Sequence, residues 1–434
     1  MPASAPPPPT NPLLGALRAR AAEGTPEAMF KLAVALIGHG QYEEAFDQYG
    51  HAATAGHAGA QVQLARMLLY GITCDADPAR AVDWLLRAET GANDATAGTL
   101  LAMIALGGVA LPRDAGQINR RVLAAVQADH PPALLAAAVH FGRRPDADDQ
   151  ARCVQLLERA SQRGDVVATR LLVERLRRGE GCQPQPERAR QLAARLAAHG
   201  VPALPAIGAE PPASASAPAA AIPGELALED ALQPPPATEL AQRPHLLRID
   251  RVLSSDECRL LVACAQPGLR RSRTIDPLTG QPQAMEVRTS SDASFDPVIE
   301  DLALRLVQLR LASAAGMELV NAEHLVVLRY APGEQYRPHR DYHPPGEMAR
   351  HRPESGNRTR TICTYLNAVE AGGETEFPHA GITVAPAPGR AVVFDNLHPD
   401  GRPDPDSLHA GLPVTRGEKW LATLWLRERA YRAY

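Results

Sequence analysis

Tyr336-Arg-Pro-His339-Arg-Asp341 sets one imidazole and one carboxylate two residues apart, in a stretch where short strand signals follow one another. On a strand, residues 339 and 341 project to the same face and can share an ion. The strands expected around it are Leu325 to Tyr330, Thr361 to Leu366, Ile382 to Ala385, Ala391 to Phe394 and Lys419 to Leu426, separated by Gly and Pro turns. Several short strands without regular intervening helices imply a sandwich or jelly roll. Upstream, Ser255 to Cys264 reads as a capped helix and Val298 to Leu311 as a second, so helices flank the β region.

An H-x-D triplet alone is a weak signal, and the chain holds another, His398-Pro-Asp400. That one lies inside Asn396-Leu-His-Pro-Asp-Gly401, whose Pro and Gly mark a turn, and it is read as a loop. The first triplet gains weight from Ser407-Leu-His409-Ala-Gly-Leu-Pro-Val414 and Gly417-Glu-Lys419-Trp, a strand-rich segment 70 residues downstream. Two strands meeting across a barrel would bring His339, Asp341 and His409 to one ion. Two imidazoles and a carboxylate leave three cis positions open on an octahedral metal, a set suited to Fe(II) that takes up a cosubstrate and oxygen together. A closed zinc site asks for four ligands, usually thiolates, and no Cys lies in either segment. His343 shares the parity of the pair, but Pro344-Pro345 ends the strand and places it in a solvated loop.

The same region holds Glu323-His-Leu-Val-Val-Leu-Arg-Tyr330, Pro332-Gly-Glu-Gln-Tyr336, Arg358-Thr-Arg-Thr-Ile-Cys-Thr-Tyr-Leu-Asn367, Gly372-Gly-Glu-Thr375 with Phe377, Gly389-Arg-Ala-Val-Val-Phe394, and His409 with Pro413 and Lys419. In order and spacing, residues 241 to 434 resemble the iron- and 2-oxoglutarate-dependent dioxygenases of the prolyl 4-hydroxylase type. The resemblance implies a double-stranded β-helix with Fe(II) on His339, Asp341 and His409. It makes Lys419 the cationic partner of the distal carboxylate of 2-oxoglutarate, a role suited to a compact charge. Tyr330 and Tyr365 match positions that assist the cosubstrate, and Tyr336 and Arg358 match positions that face a prolyl substrate. On the last strand Lys419, Leu421, Thr423 and Trp425 alternate onto one face, which brings Thr423 to the cosubstrate and Trp425 to the substrate. A strand Tyr also serves as half-buried packing, and Trp425 equally as core.

The family reaction consumes O2 and 2-oxoglutarate, releases succinate and CO2, and hydroxylates a C–H bond, with ascorbate as reductant. Related halogenases lack the carboxylate that Asp341 supplies, so hydroxylation is favoured. The segment Tyr342 to Asn357 is longer than the family places there and lies where substrate loops belong. A prolyl side chain in a peptide or protein is the expected substrate, with a free amino acid or other small molecule as the alternative.

From Gly24 to Gly200 the chain repeats itself, with helical stretches closing at Gly56, Gly91, Asp129, Gly164 and Gly200, at spacings of 35, 38, 35 and 36. Each unit reads as a helix pair, such as Ala60 to Gly71 followed by Asp77 to Ala88 with Pro78 at a helix start. Such pairs bury their faces only by stacking on their neighbours. They resemble Sel-one-like and tetratricopeptide repeats, which implies a solenoid that binds a protein partner. The third unit, with Asp129 in place of Gly and two extra residues, departs from the pattern, and the last two are looser still.

The expected organisation is therefore multidomain α plus β: a disordered N-terminus over 1–20, an α-helical repeat solenoid over 21–200, a Pro/Ala-rich linker over 201–240, and a jelly roll over 241–434. The linker reading rests on Pro211-Pro-Ala-Ser-Ala-Ser-Ala-Pro218 and Pro234-Pro-Pro236. On this reading residues 241 to 434 fold alone and the solenoid recruits the substrate by tethering it. An interaction scaffold carrying a degenerate metal-binding jelly roll is the alternative of another class. Of the 434 residues, 45 are Lys or Arg and 49 Asp or Glu, so no basic field invites nucleic acid or an anionic membrane. No secretory leader is read in Met1 to Thr10 and no stretch approaches a membrane span. Six scattered cysteines without a C-x-x-C pair suit free thiols in the cytoplasm.

Overall fold

The computed structural model describes residues 12–207, 226–272, 288–344, 346 and 348–434, together with the backbone of 274–275 and 282–283. Within them the chain forms two compact units, one of the described residues up to Arg113 with Ala433–Tyr434, the other of those from Asp114 to Arg432. The first holds the helices Pro12–Ala21, Pro26–Gly38, Tyr42–Thr54, Ala58–Tyr70, Pro78–Ala92 and Ala95–Gly107. Small residues and leucines such as Ala33, Leu36, Ala45, Ala52, Ala60 and Leu68 bury fully along their facing sides. The N-terminal stretch expected to be disordered is helical from Pro12, while Met1 to Thr10 lie outside the described residues.

The second unit opens with the helices Ala115–Gln127, Pro131–Gly142, Ala147–Gln162, Val166–Arg178 and Pro186–Ala198. Caps explain the phasing. Asp77, Asp94, Asp114, Asp146 and Asp165 each accept a backbone N–H of the first turn that follows, and Pro26, Pro78, Pro131 and Pro186 open helices where a missing N–H costs nothing. Asp129, out of pattern in the sequence, keeps the left-handed turn that Gly56, Gly164 and Gly200 make, with φ of 54°, and its carboxylate takes Arg159 and Arg163. Gly91 instead lies inside a helix, and Asn93 makes the left-handed turn two residues later.

The rest of this unit is built on two large antiparallel sheets, with two short two-stranded pairs beside them. The larger runs Thr238–Gln242, His245–Ile249, Ala391–Asp395, Arg358–Tyr365, Lys419–Arg427, Leu325–Tyr330, Ser291–Phe295, Arg270–Arg271. The smaller runs Ile382–Val384, Thr375–Phe377, His409–Gly411, Tyr336–His339. Leu246, Leu328, Val392, Phe394 and Leu421 from the first meet Phe377 and Val384 from the second in one core. The helix Ser255–Ala265 starts in a reciprocal capping box between Ser254 and Glu257. The second flanking helix begins at Leu302 rather than Val298, because the Asp301 carboxylate caps Leu304 N–H and a 3-10 turn precedes it.

The linker reading needs correction. Pro211 to Pro218 lie outside the described residues, but Ile207, Leu226, Leu228 and Ala231 are buried and Thr238–Gln242 is a strand of the larger sheet. The repeat helices around it are not merely tethered. Val166–Arg178 packs on Ser255–Ala265, and Pro131–Gly142 on Leu302–Ala314. Between them Arg175 holds Asp256, Arg259 pairs with Glu180 at 2.5 Å and Asp256 at 2.9 Å, and Arg310 pairs with Glu257, all buried. No single helix among the described residues is long and apolar enough to cross a membrane.

Candidate active site

The site lies between the two sheets. Antiparallel pairing sets His409 opposite His339, with ring centroids 4.2 Å apart. Asp341 is not on the strand as expected: that strand ends at His339, and the carboxylate returns from the bend that follows. The convergence survives, with Asp341 Oδ1 3.5 Å from His339 Nε2 and Oδ2 3.9 Å from His409 Nε2. One ligand atom from each residue falls within 4.8 Å of the others.

Each imidazole is oriented from behind. His339 Nδ1 lies 2.9 Å from the Arg337 carbonyl and His409 Nδ1 3.0 Å from that of Ser407. A carbonyl only accepts, so Nδ1 is the donor in both rings and Nε2 is the nitrogen turned to the cluster. Tyr336 stacks on His339 at 3.4 Å, and Phe394 packs on His409 at 4.5 Å. Burial, then the neighbouring His339, pushes His409 down to about 4, which keeps it a neutral donor. Burial alone would raise the Asp341 carboxyl, but His409 and His339 outweigh it and hold it below its ordinary range. Two imidazoles and one carboxylate form a donor set that fits a divalent iron.

Beneath this cluster the pocket is lined by Tyr330, Thr375, Lys419, Leu421, Thr423 and Trp425, so the alternation expected of the last strand holds. Lys419 is 1% exposed, with its Nζ 5.2 Å and 5.3 Å from the Tyr330 and Tyr365 ring centres. No carboxylate lies within ion-pair distance of it among the described residues. Burial pushes its ammonium down to about 8. Such a cation is costly unless an anion joins it.

Other expected residues sit differently. Tyr365 does not line the pocket; its hydroxyl lies 2.6 Å from Thr375 Oγ1 and 2.9 Å from the Val384 carbonyl. Arg358 faces away from open space, gripped by Glu323 through two hydrogen bonds of 2.7 Å and stacked 4.1 Å over Trp425. Trp425 reaches the pocket with an indole N–H that has no partner among the described residues. His343 is buried rather than solvated and stacks on His351 at 4.1 Å, apart from the three ligands. His398 and Asp400 fall in the expected turn, where Asp400 pairs with Arg402.

Five pocket residues were not singled out from the sequence: Arg288, Leu328, Cys363, Thr375 and Gly411. Thr375 and Cys363 stand inside quoted motifs and are marked by strand parity, whereas nothing near Arg288 signals a site. The described residues of the long segment 342–357 line none of the pocket. Its described residues fasten to the chain's end instead, with Arg427 donating to the His351 and Gly356 carbonyls and Arg429 to those of Pro353 and Glu354.

Comparison with known proteins agrees with this geometry. Residues 325–427 match the 2OG-Fe(II) oxygenase superfamily. Probable prolyl 4-hydroxylase 4 of Arabidopsis thaliana is 34% identical over 221 residues, spanning 45% of this chain and 71% of the relative. Prolyl 4-hydroxylase subunit alpha-1 of Mus musculus is 35% identical over 188 residues, 43% of this chain and 35% of the relative. A solved 2-oxoglutarate complex of a viral collagen prolyl hydroxylase from Paramecium bursaria Chlorella virus-1 is 28% identical, covering 42% of this chain and 95% of that one at a TM-score of 0.34. The chain belongs to the prolyl 4-hydroxylase family and is a 2-oxoglutarate-dependent dioxygenase. Residues 58–91, 131–165 and 174–201 match the Sel1 repeat, so the last two units, read as loosest, fit the pattern and the third does not.

Proposed function

We propose that the protein hydroxylates prolyl side chains of a peptide or protein, with Fe(II) held by His339, Asp341 and His409 and the distal carboxylate of 2-oxoglutarate held by Lys419. Lys419 carries the reading. A fully buried ammonium with no carboxylate in ion-pair distance among the described residues, on the wall of the pocket that holds the two imidazoles and the carboxylate, would suit a small dianion that also reached the ion. When bound, iron and cosubstrate supply the oxidative chemistry, in which decarboxylation of 2-oxoglutarate drives C–H hydroxylation. The chain supplies position and dryness. Tyr330 and Thr423 wall the cosubstrate, and Tyr365 acts on it through Thr375. Tyr336 and Trp425 border the substrate, while Arg358 steadies Trp425.

We read ascorbate as the reductant, O2 and 2-oxoglutarate as the small-molecule partners, and the helical repeats as a further surface for the polypeptide. Neither nucleic acid nor membrane enters the reading, which the near-balanced charge supports. A cytoplasmic setting is supported by six free cysteines. The catalytic region is taken as residues 241–434, resting on the strand at 238–242 and on the helices Pro131–Gly142 and Val166–Arg178. Succinate release by the iron-loaded full chain, compared between a proline-containing peptide and free L-proline, tests the substrate class. Peptide-dependent release is expected. Release stimulated only by the free amino acid would move the assignment to a small-molecule hydroxylase.

A further inference from the structure

The turn at 396–401 contributes no ligand, yet its first residue reaches the site through the larger sheet. Asn396 Nδ2 donates to Thr361 Oγ1 at 2.8 Å, and Thr361 Oγ1 donates to Asp341 Oδ2 at 2.9 Å. Asn396 and Thr361 are wholly buried and Asp341 nearly so. Elementary chemistry fixes the direction of this chain. An ionised carboxylate only accepts, so the single Thr361 proton goes to Asp341, and the lone pair left on Oγ1 calls for the amide NH2 of Asn396 rather than its carbonyl.

The backbone pins both residues. Asn396 N–H donates to the Thr359 carbonyl, and the Asp404 N–H donates to the Asn396 carbonyl. Thr361 pairs with Phe394 on one side and Trp425 on the other, in the middle of the sheet. A hydroxyl held this firmly is a fixed post for a carboxylate that itself stands on a bend.

We propose that Thr361 and Asn396 are positioning residues for Asp341: they engage Oδ2 and leave Oδ1, the oxygen beside His339 Nε2, for the ion. A carboxylate turning freely about Cβ–Cγ offers a metal either oxygen or both. With Oδ2 engaged it offers one, and a position that a second oxygen would take stays open for cosubstrate or O2. The proposal rests on the reading of His339, Asp341 and His409 as the iron site.

The test uses the full chain with Co(II) as an oxygen-stable probe, its affinity measured by titration calorimetry and its coordination by the visible spectrum. Thr361→Val removes the hydroxyl and keeps the shape. It is expected to weaken Co(II) roughly 10- to 100-fold, the usual range for losing an outer partner of a ligand, and to alter the spectrum. Thr361→Ser is expected to restore both, and Asn396→Ala to shift both in the same direction by less. The Asn396 variant carries the same test if Thr361→Val does not fold, which thermal unfolding of the metal-free proteins decides. Wild-type affinity and spectrum in a folded Thr361→Val or Asn396→Ala would overturn the proposal. Absence of Co(II) uptake by the wild type would instead overturn the iron-site reading, and this proposal with it.

Discussion

Two clusters of buried charge lie within residues 114–432, and they follow opposite rules. Where repeat helices meet the β region, Arg175, Arg259 and Arg310 face Asp256, Glu180 and Glu257. Each of these anions meets at least one buried guanidinium, and Arg143 and Arg178 add to Glu257 and Glu180 at 3.8 Å and 4.0 Å. Burial alone would raise the Asp256 carboxyl, but Arg175 and Arg259 hold it below its ordinary range. In the pocket, Lys419 has no anion, His409 is a neutral donor and Asp341 gathers two imidazoles instead of a cation. Balanced buried charge holds elements together, whereas unbalanced buried charge waits for ligands.

The largest expected effect is in the pocket. His339→Ala or His409→Ala should abolish iron binding and 2-oxoglutarate turnover, measured by metal titration and succinate release, while leaving the unfolding midpoint of the metal-free protein nearly unchanged. Two remaining ligands hold a labile divalent ion poorly.

The junction should respond the other way. Arg259→Ala strands Glu180 and Asp256 and should cost about 3–5 kcal/mol of stability in denaturant unfolding, with metal affinity retained in the folded fraction. Removing the repeat helices by cutting at residue 240 strands Asp256 and Arg259 from Arg175 and Glu180 and takes away the edge strand Thr238–Gln242. Residues 241–434 alone should therefore unfold at lower denaturant than the full chain.

Lys419 sharpens the contrast, because its removal should weaken cosubstrate binding without weakening the fold. Lys419→Met should raise the KM for 2-oxoglutarate by about 2–3 kcal/mol in binding, roughly 30- to 150-fold, and leave ligand-free stability equal or higher. Burial lowers this ammonium from 10.5 to about 8, so between those values the unfolded chain binds a proton that the native chain has released. Stability of the ligand-free wild type relative to Lys419→Met should therefore rise with pH across that window, and 2-oxoglutarate affinity should fall as pH climbs through it. Denaturant midpoints and KM across pH from about 7 to 10 check both signs. The smallest effect is expected of His398→Ala in the second triplet, which should change neither metal uptake nor turnover.

These two clusters also differ in how far the sequence displays them. Alternation on Lys419, Leu421, Thr423 and Trp425 is a local property, and it placed all four on one pocket wall. The ligand set was legible as spacing, although Asp341 reaches it from a bend. The partner of Arg358 was not legible, because Glu323 lies 35 residues away and only strand order brings the two together. The junction was invisible for the same reason. Nothing local marks Arg175 or Glu180, and Asp256 with Glu257 falls in the first turn of the helix read as capped. The strands at 238–242 and 245–249 were missed because they are short and lack the β-branched runs of the central strands.

Mass spectrometry of a proline-containing peptide incubated with the full chain, Fe(II), 2-oxoglutarate and ascorbate tests the central claim most directly. One added oxygen on a prolyl residue is expected, with succinate formed in equal amount and both lost in Lys419→Met at limiting 2-oxoglutarate. Peptide left unmodified across a broad panel, by protein shown to bind iron and turn over 2-oxoglutarate, would contradict it.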